Sequence, residues 1–102
     1  MTEELSARIK DKIRQGVIDP ELGINVVDLG LIYEIKTEQE MVHIKMTLTS
    51  MGCPYGARLV EDVRQAAEYA AERSVTVELV WQPAWSKQMM SREARDQLLF
   101  FS

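Results

Sequence analysis

A strict alternation of apolar and polar residues in the middle of the chain constrains its fold more than any other feature. Every second residue of segment 42–49 is apolar, and polar residues stand between. The apolar positions are Val42, Ile44, Met46 and Leu48. This pattern is typical of a β-strand with one face on a core and the other in water. We therefore predict that the apolar set faces the core, and that His43, Lys45 and Thr47 face away from it.

The flanking segments provide the partners that such a strand needs. A second alternation at residues 31–36 is joined to the first by the short polar link Thr37–Glu40, which predicts an antiparallel hairpin. Apolar residues recur every fourth position in residues 3–15 and recur at helical spacing after Pro54, which predicts two amphipathic helices. A third strand is predicted for Val75–Trp81.

These elements predict an α+β fold. The order helix, hairpin, helix and strand allows the helices to pack on one face of a small mixed sheet, which gives a two-layer α/β sandwich. The chain has 102 residues, enough for one domain of this kind, and we assign residues 1–102 to it.

Charge and cysteine content exclude several classes of protein. The 12 Lys and Arg residues against 16 Asp and Glu residues argue against binding to nucleic acid or to anionic lipid. No apolar run approaches the roughly 20 residues that a bilayer requires, and the acidic N-terminus has no apolar signal core. A single cysteine cannot form an internal disulfide, so we expect a cytoplasmic protein.

Cys53 is the strongest candidate for chemistry. If a helix begins at Pro54, Cys53 lies at or beside its N-cap, where the helix dipole favours thiolate, the form that binds soft metals. Thr49 and Ser50 are placed to donate hydrogen bonds to the sulfur. We expect Cys53 to be partly accessible, with a pKa below the ordinary thiol value of about 8.5. A small apolar side chain buried under the helix remains an equal alternative.

An acidic loop is the second candidate. Asp19, Glu21 and Asp28 lie close together in sequence, around a predicted loop at residues 19–23. Their carboxylates are suited to assist a metal site or to bind a basic partner. The interpretation we favour is that Asp19 and Asn25 stabilise turns through hydrogen bonds to the backbone.

The remaining candidates are weaker. His43 stands alone on the polar side of its strand, and we expect it to be a solvated surface residue. Ser91 is suited to cap a short helix in the tail. The segment Trp81–Met90, rich in Trp and Met, provides either an apolar surface for a partner or packing of the tail on the core.

Three stretches resemble motifs of the metal–sulfur cluster biosynthetic family, which includes the SufT-like and PaaD-like proteins and eukaryotic cytosolic assembly factors. Residues 17–33 resemble its first motif, and Met46–Pro54 resemble the second, which ends in Cys-Pro. Trp81–Arg95 resemble the third, a Pro-Trp loop followed by Met-Met-Ser-x-Glu-Ala-Arg. Ala84 departs from this pattern, because a second Pro is usual there. The absence of a cysteine-rich C-terminal extension favours the SufT-like branch.

The resemblance implies a protein that assembles or delivers iron–sulfur clusters and is not itself an enzyme. Its partners would be iron–sulfur client or assembly proteins. The family's functional positions correspond here to Asp19, Glu21, Thr49, Ser50 and Cys53, with Cys53 as the metal ligand. Many family members have Thr where this chain has Ser50.

A cluster normally needs four ligands, and one chain supplies a single thiolate. We therefore predict that the cluster is transient, or absent from the isolated protein. A homodimer would bring two Cys53 side chains together. A cysteine-dependent thiol enzyme and a pure interaction adaptor remain alternatives, and the enzyme would have to use His43 or a carboxylate as its base.

Overall fold

The structure is a computed structural model that describes residues 2–49, 52 and 54–101. The elements of this part of the chain are, in order, α1 (Thr2–Gly16), β1 (Ile18–Asp19), β2 (Ile24–Asn25), β3 (Ile32–Thr37), β4 (Met41–Met46), α2 (Gly56–Ala71), β5 (Ser74–Leu79), a 3₁₀ turn (Lys87–Met89) and α3 (Arg92–Phe101). Among the described residues, no helix is both long and apolar enough to cross a bilayer.

The alternating segment forms the central strand of a mixed sheet. Strand β4 pairs antiparallel with β3 and parallel with β5, and a register shift interrupts the β3 ladder between Ile32 and Glu34. This arrangement confirms the predicted hairpin, the mixed sheet and the α+β class. The third strand ends at Leu79, two residues earlier than predicted.

The register of β4 is the predicted one. The side chains of Val42, Ile44 and Met46 are fully buried. They share one core with the apolar stripes of α1 and α2. The buried apolar side chains of these two stripes are Leu5, Ile9 and Ile13 in α1 and Leu59, Val63, Ala67 and Ala71 in α2. One polar residue departs from the pattern, because Thr47 is also fully buried.

A second, smaller sheet replaces part of the predicted loop. Strands β1 and β2 pair antiparallel, with Ile18 opposite Asn25 and Asp19 opposite Ile24. The loop prediction holds only for the turn between them. The pairing was missed because two-residue strands carry no periodicity that a sequence pattern can reveal.

Helix α2 begins two residues later than predicted. Its N-cap is Tyr55, whose carbonyl accepts the first helical bond from the Leu59 N–H at 2.9 Å, and Pro54 lies in the preceding turn. Gly56 fits closely here, because a Cβ at that position would stand 2.7 Å from Cδ1 of Leu48. This packing favours a start at Gly56. Cys53 is therefore two positions before the N-cap in sequence, and the prediction that Pro54 is the first helical residue is wrong.

The tail packs on the core. Met90 is buried, and the Trp85 indole N–H donates to the Leu29 carbonyl at 2.7 Å. Ser91 caps α3 as predicted, since its hydroxyl accepts from the Ala94 N–H at 3.1 Å. Of the two interpretations of Trp81–Met90, the structure therefore shows tail-to-core packing at Trp85 and Met90.

Candidate functional site

The candidate site lies at the edge of the sheet where β4 and β5 end. Because these strands are parallel, their carboxyl ends meet at one edge, which is where open α/β sheets usually bind ligands. The connection between β4 and α2, residues 47–55, starts at this edge. The Thr47 N–H donates to the Leu31 carbonyl at 2.9 Å, and the Val80 N–H donates to the Met46 carbonyl at 2.8 Å.

Three of the predicted site residues fall in this connection. Thr49 is half-buried in a bend just beyond the end of β4. Ser50 and Cys53 lie outside the described residues, so their places in the site stay predictions.

Asp19 is the most buried carboxylate that the structure describes. Its Oδ1 accepts from the Glu21 N–H at 2.8 Å and from the Leu22 N–H at 3.3 Å, while its own carbonyl accepts from Gly23. Its side chain is therefore committed to the turn between β1 and β2. This confirms that Asp19 organises a turn, and it leaves the exposed Glu21 on the outside of the same turn.

Asn25 and Asp28 form a separate structural pair. The Asn25 side-chain oxygen accepts from the Asp28 N–H at 2.9 Å, and its amide donates to the Asp28 carboxylate at 2.9 Å. The other carboxylate oxygen of Asp28 lies 3.5 Å from the guanidinium of Arg14. The second predicted turn organiser is thus confirmed, and Asp28 pairs with α1.

A groove lies between the start of α2 and the turn that joins β1 to β2. This turn carries Asp19 and Glu21 and is called the acidic turn below. The groove has a volume of about 350 Å³ and contains Ile18 and Pro20 on one side and Tyr55 and Arg58 on the other. Ile18 and Tyr55 are 54% and 44% exposed, which makes them apolar surface at the mouth of this groove. The fold therefore brings together the two segments that carry the predicted site residues, although Asp19 itself points into its own turn.

Two hydroxyl side chains at the same edge were not predicted. The Tyr33 hydroxyl donates to the Pro83 carbonyl at 2.8 Å and lies 3.3 Å from Sδ of Met89. Burial raises the pKa of Tyr33, and the neighbouring Thr47 hydroxyl opposes this increase with a smaller effect. Oγ1 of Thr47 is buried and has no well-formed hydrogen bond to any described residue. Thr47 differs from His43 and Lys45, the other polar residues of the alternation, in lying beyond the end of β4 at Met46.

His43 lies away from this edge, on the uncovered face of the sheet. Its Nδ1 is 2.8 Å from the Thr76 hydroxyl and its Nε2 is 3.0 Å from the Glu78 carboxylate, so it is a paired surface residue. In the part of the chain that the structure describes, no three His, Cys, Asp or Glu side chains cluster closely enough to hold a metal ion.

Comparisons with known proteins agree with this architecture. Residues 3–79 match the model of a family described as "Iron-sulfur cluster assembly protein". The chain is 41% identical over 97 residues to the Fe-S protein maturation auxiliary factor YitW of Bacillus subtilis, covering 93% of this chain and 94% of that protein. It is 48% identical over 81 residues to the Fe-S protein maturation auxiliary factor SufT of Staphylococcus aureus, covering 78% and 92%.

A solved structure is similar over almost the same length. The crystal structure of a domain of unknown function, DUF59, from Bacillus anthracis superposes with a TM-score of 0.87 at 37% identity, covering 95% of this chain and 93% of that chain. The family match includes both the acidic turn and the connection 47–55.

Proposed function

Because the chain belongs to the family of iron–sulfur cluster assembly proteins, we propose that it assembles or delivers iron–sulfur clusters during the maturation of other proteins. The relatives named as maturation auxiliary factors support this role. The groove between the acidic turn and the first turn of α2 is the observation that supports a proposal about which residues form the site. Cys53 precedes that turn by three residues in sequence.

We assign the contact with cluster iron to Cys53. A thiolate is the ligand that iron–sulfur clusters prefer, and the positive end of α2 favours that charge nearby. Thr49 and Ser50 are proposed to donate hydrogen bonds to the sulfur. Asp19 would act indirectly, because its carboxylate holds the turn that carries Glu21.

The cluster is cargo in this proposal. One chain offers one thiolate, so the remaining ligands would come from an iron–sulfur client, an assembly protein or a second copy of this chain. A transient cluster follows, because a chain that supplies one thiolate holds the cluster weakly, and the ligands of the recipient can replace Cys53 together with the other donors. We also propose a cytoplasmic location, where an unpaired thiol stays reduced.

We propose that the protein acts without enzymatic turnover. A cysteine-dependent enzyme needs a general base, and the single imidazole of the chain, His43, is already bonded to Thr76 and Glu78 on the uncovered face of the sheet. A pure interaction adaptor is the second candidate. The exposed apolar mouth of the groove, at Ile18 and Tyr55, favours it, and it differs from the first candidate in needing no thiol.

Replacement of Cys53 separates these two candidates. We expect Cys53→Ala to abolish most of the chain's support of iron–sulfur enzyme activity in cells that depend on it. The matched control is Ser74→Ala, at an exposed position at the other end of the sheet, which should act as wild type. Wild-type support by Cys53→Ala would establish the adaptor instead.

Anaerobic reconstitution provides a second measurement on the purified chain. We expect a colourless protein as isolated and a labile cluster after reconstitution, observed by absorbance and iron counting on a size-exclusion column. Cys53→Ala should bind no cluster, whereas Ser74→Ala should bind as wild type. A stable cluster on a monomer, or one that survives Cys53→Ala, would contradict the assignment of Cys53 as the ligand.

A further inference from the structure

The two outer strands of the larger sheet differ in how their free edges are protected. Strand β3 carries the register shift between Ile32 and Glu34, and Lys10 of α1 lies across a groove from it. Irregular pairing, charge and a covering element are the means by which proteins keep an edge strand from pairing with another chain. Strand β5 shows no such interruption, because its register with β4 is regular from Ser74 to Leu79 and it contains neither proline nor lysine.

The tail leaves the outer edge of β5 uncovered. Directly after β5, the Val80 N–H donates to the Met46 carbonyl in the central strand, and Pro83 already reaches the Tyr33 hydroxyl in β3. The tail therefore crosses to the opposite side of the sheet. In the part of the chain that the structure describes, no strand pairs with the outer edge of β5.

The register of β5 shows which backbone groups this edge presents. Val80 donates to Met46, which lies opposite Leu79. In a parallel pair a residue bonds to the neighbours of the residue opposite it, and the direction of the N–H and C=O groups alternates along a strand. The even-numbered residues of β5 therefore bond towards β4. Val75, Val77 and Leu79 each direct one N–H and one C=O group outward.

A second copy of β5 is complementary to this edge. When two such edges meet antiparallel about a two-fold axis at Val77, Val77 lies opposite itself and Val75 lies opposite Leu79 of the second copy. These are hydrogen-bonded pairs, so every outward N–H and C=O group finds a partner. The side chains of all three residues lie on the helix-covered face, so apolar side chains meet across the axis. Leu79, which is 38% exposed, is covered by Val75 of the second copy.

We propose that the outer edge of β5 is an interface for a second copy of this chain, which joins two three-stranded sheets into one with all helices on the same face. Self-complementarity favours a second copy over an unrelated strand, because the same residues satisfy one another in a single register. On the uncovered face, Thr76 lies opposite Glu78 of the second copy, so no like charges are directly opposed.

This dimer keeps the two candidate sites apart. Because the paired strands run antiparallel, the two copies of the connection 47–55 begin at opposite edges of the joined sheet. The second copy would therefore not supply the ligands that a cluster lacks, which leaves them to a client or an assembly protein. The interface itself does not depend on the proposed function.

Sedimentation tests the interface. A single pair of short strands buries less area than the roughly 1,200–2,000 Å² of stable interfaces, so we expect a weak dimer. Analytical ultracentrifugation should show wild-type monomer converting to dimer between about 10 μM and about 1 mM. Leu79→Lys places a charge opposite Val75 and should raise the midpoint concentration by about tenfold or more. Met41→Lys is the matched control and should dimerise as wild type, because Met41 is 37% exposed but lies in the central strand.

Cross-linking tests the register. In a Cys53→Ala background, the Cα atoms of Val77→Cys should lie about 5.5 Å apart across the axis, within the range that a disulfide bridges. The Cα atoms of Leu79→Cys should lie about 15 Å apart, although residue 79 is the more exposed of the two. Air oxidation should therefore cross-link Val77→Cys about tenfold faster than Leu79→Cys or more.

Three outcomes would overturn the proposal. A wild-type chain that stays monomeric at about 1 mM would do so. A dimer that Leu79→Lys leaves unchanged, or equal cross-linking rates at positions 77 and 79, would place the contact elsewhere. If Leu79→Lys does not fold, the cross-linking rates decide. Failure of the proposed function is recognised separately, because it appears as full cellular activity of Cys53→Ala whatever the oligomeric state is.

Discussion

Before the amino end of β4 the chain reverses direction through three exposed polar residues. The two residues that follow the carboxyl end of β4, by contrast, are buried. The hairpin turn at Glu38–Glu40 is closed by a bond from the Glu38 N–H to the Met41 carbonyl, and Arg73 donates to the Glu38 carbonyl. At the other end, Thr47 and Leu48 are 0% and 5% exposed.

This difference agrees with the proposed place of the site at the carboxyl end of β4. A turn in water only needs to reverse the chain, and many sequences can do so. A connection that starts inside the core is held in position by its neighbours, which is what a ligand-binding segment needs. The stretch Met46–Pro54, which resembles the family's second motif, begins at this buried end of β4.

The largest expected difference between the two ends is in packing. Leu48→Ala should lower the free energy of unfolding by about 3 kcal/mol, because it leaves a cavity beside Gly56. Met41→Ala at the other end should lower it by about 0.5 kcal/mol, because Met41 is 37% exposed. Urea denaturation of both variants measures this. Equal losses would show that the connection is not part of the core.

The second prediction tests how the tail is held at the carboxyl edge. Gly30 has φ +82°, and a Cβ there would overlap the Met89 carbonyl. Gly30→Ala should therefore cost about 2–3 kcal/mol and displace the tail, which a change in tryptophan fluorescence would report.

Gly16→Ala is the control for this substitution. A Cβ at Gly16 meets nothing within 4 Å, so alanine there should be neutral or should stabilise by about 0.5 kcal/mol. If both variants had the same stability and fluorescence, Gly30 would not be needed for the packing of the tail on the core.

The third prediction compares the acidic residues of two turns. Asp19→Ala should lower the free energy of unfolding by about 1–2 kcal/mol, because two backbone N–H groups lose their acceptor. Asp19→Asn keeps an oxygen and should recover most of that loss. Glu40→Ala, in the exposed hairpin turn, should change stability by less than about 0.5 kcal/mol. If Glu40→Ala lowered the free energy of unfolding as much as Asp19→Ala does, the two turns would not differ in how much their acidic residues stabilise the fold.

The sequence alone was enough to predict the features that depend on the spacing of residues close together in the chain. The period of two at 42–48 predicted which side chains β4 buries, because a shift of one residue would have placed His43 in the core. Asp19 and Ser91 were identified as turn and cap residues for a similar reason, since each bonds to backbone within three residues.

Features that depend on distant contacts were missed. Pro54 suits both a first helical position and a turn, and the packing of Gly56 on Leu48 favours the turn. Thr47 is fully buried, and the Tyr33 bond to Pro83 at the same edge spans 50 positions. No local pattern contains this information. The places of Ser50 and Cys53 remain predictions.

The smallest expected effect concerns Tyr33 at alkaline pH. Burial raises its pKa above the ordinary value of 10.0, so the folded protein retains the phenolic proton at a pH where the unfolded chain has lost it. The resulting contribution to stability is complete below about pH 10 and is lost as the pH rises through the pKa of the folded state.

The difference between the near-ultraviolet titrations of wild type and Tyr33→Phe isolates this group. Its midpoint should lie above 10.0, and the alkaline loss of stability should be smaller in Tyr33→Phe than in wild type. A midpoint at or below 10.0 would mean that Tyr33 is open to water, and the carboxyl edge of the sheet would then be less enclosed than the contacts with Pro83 and Met89 indicate.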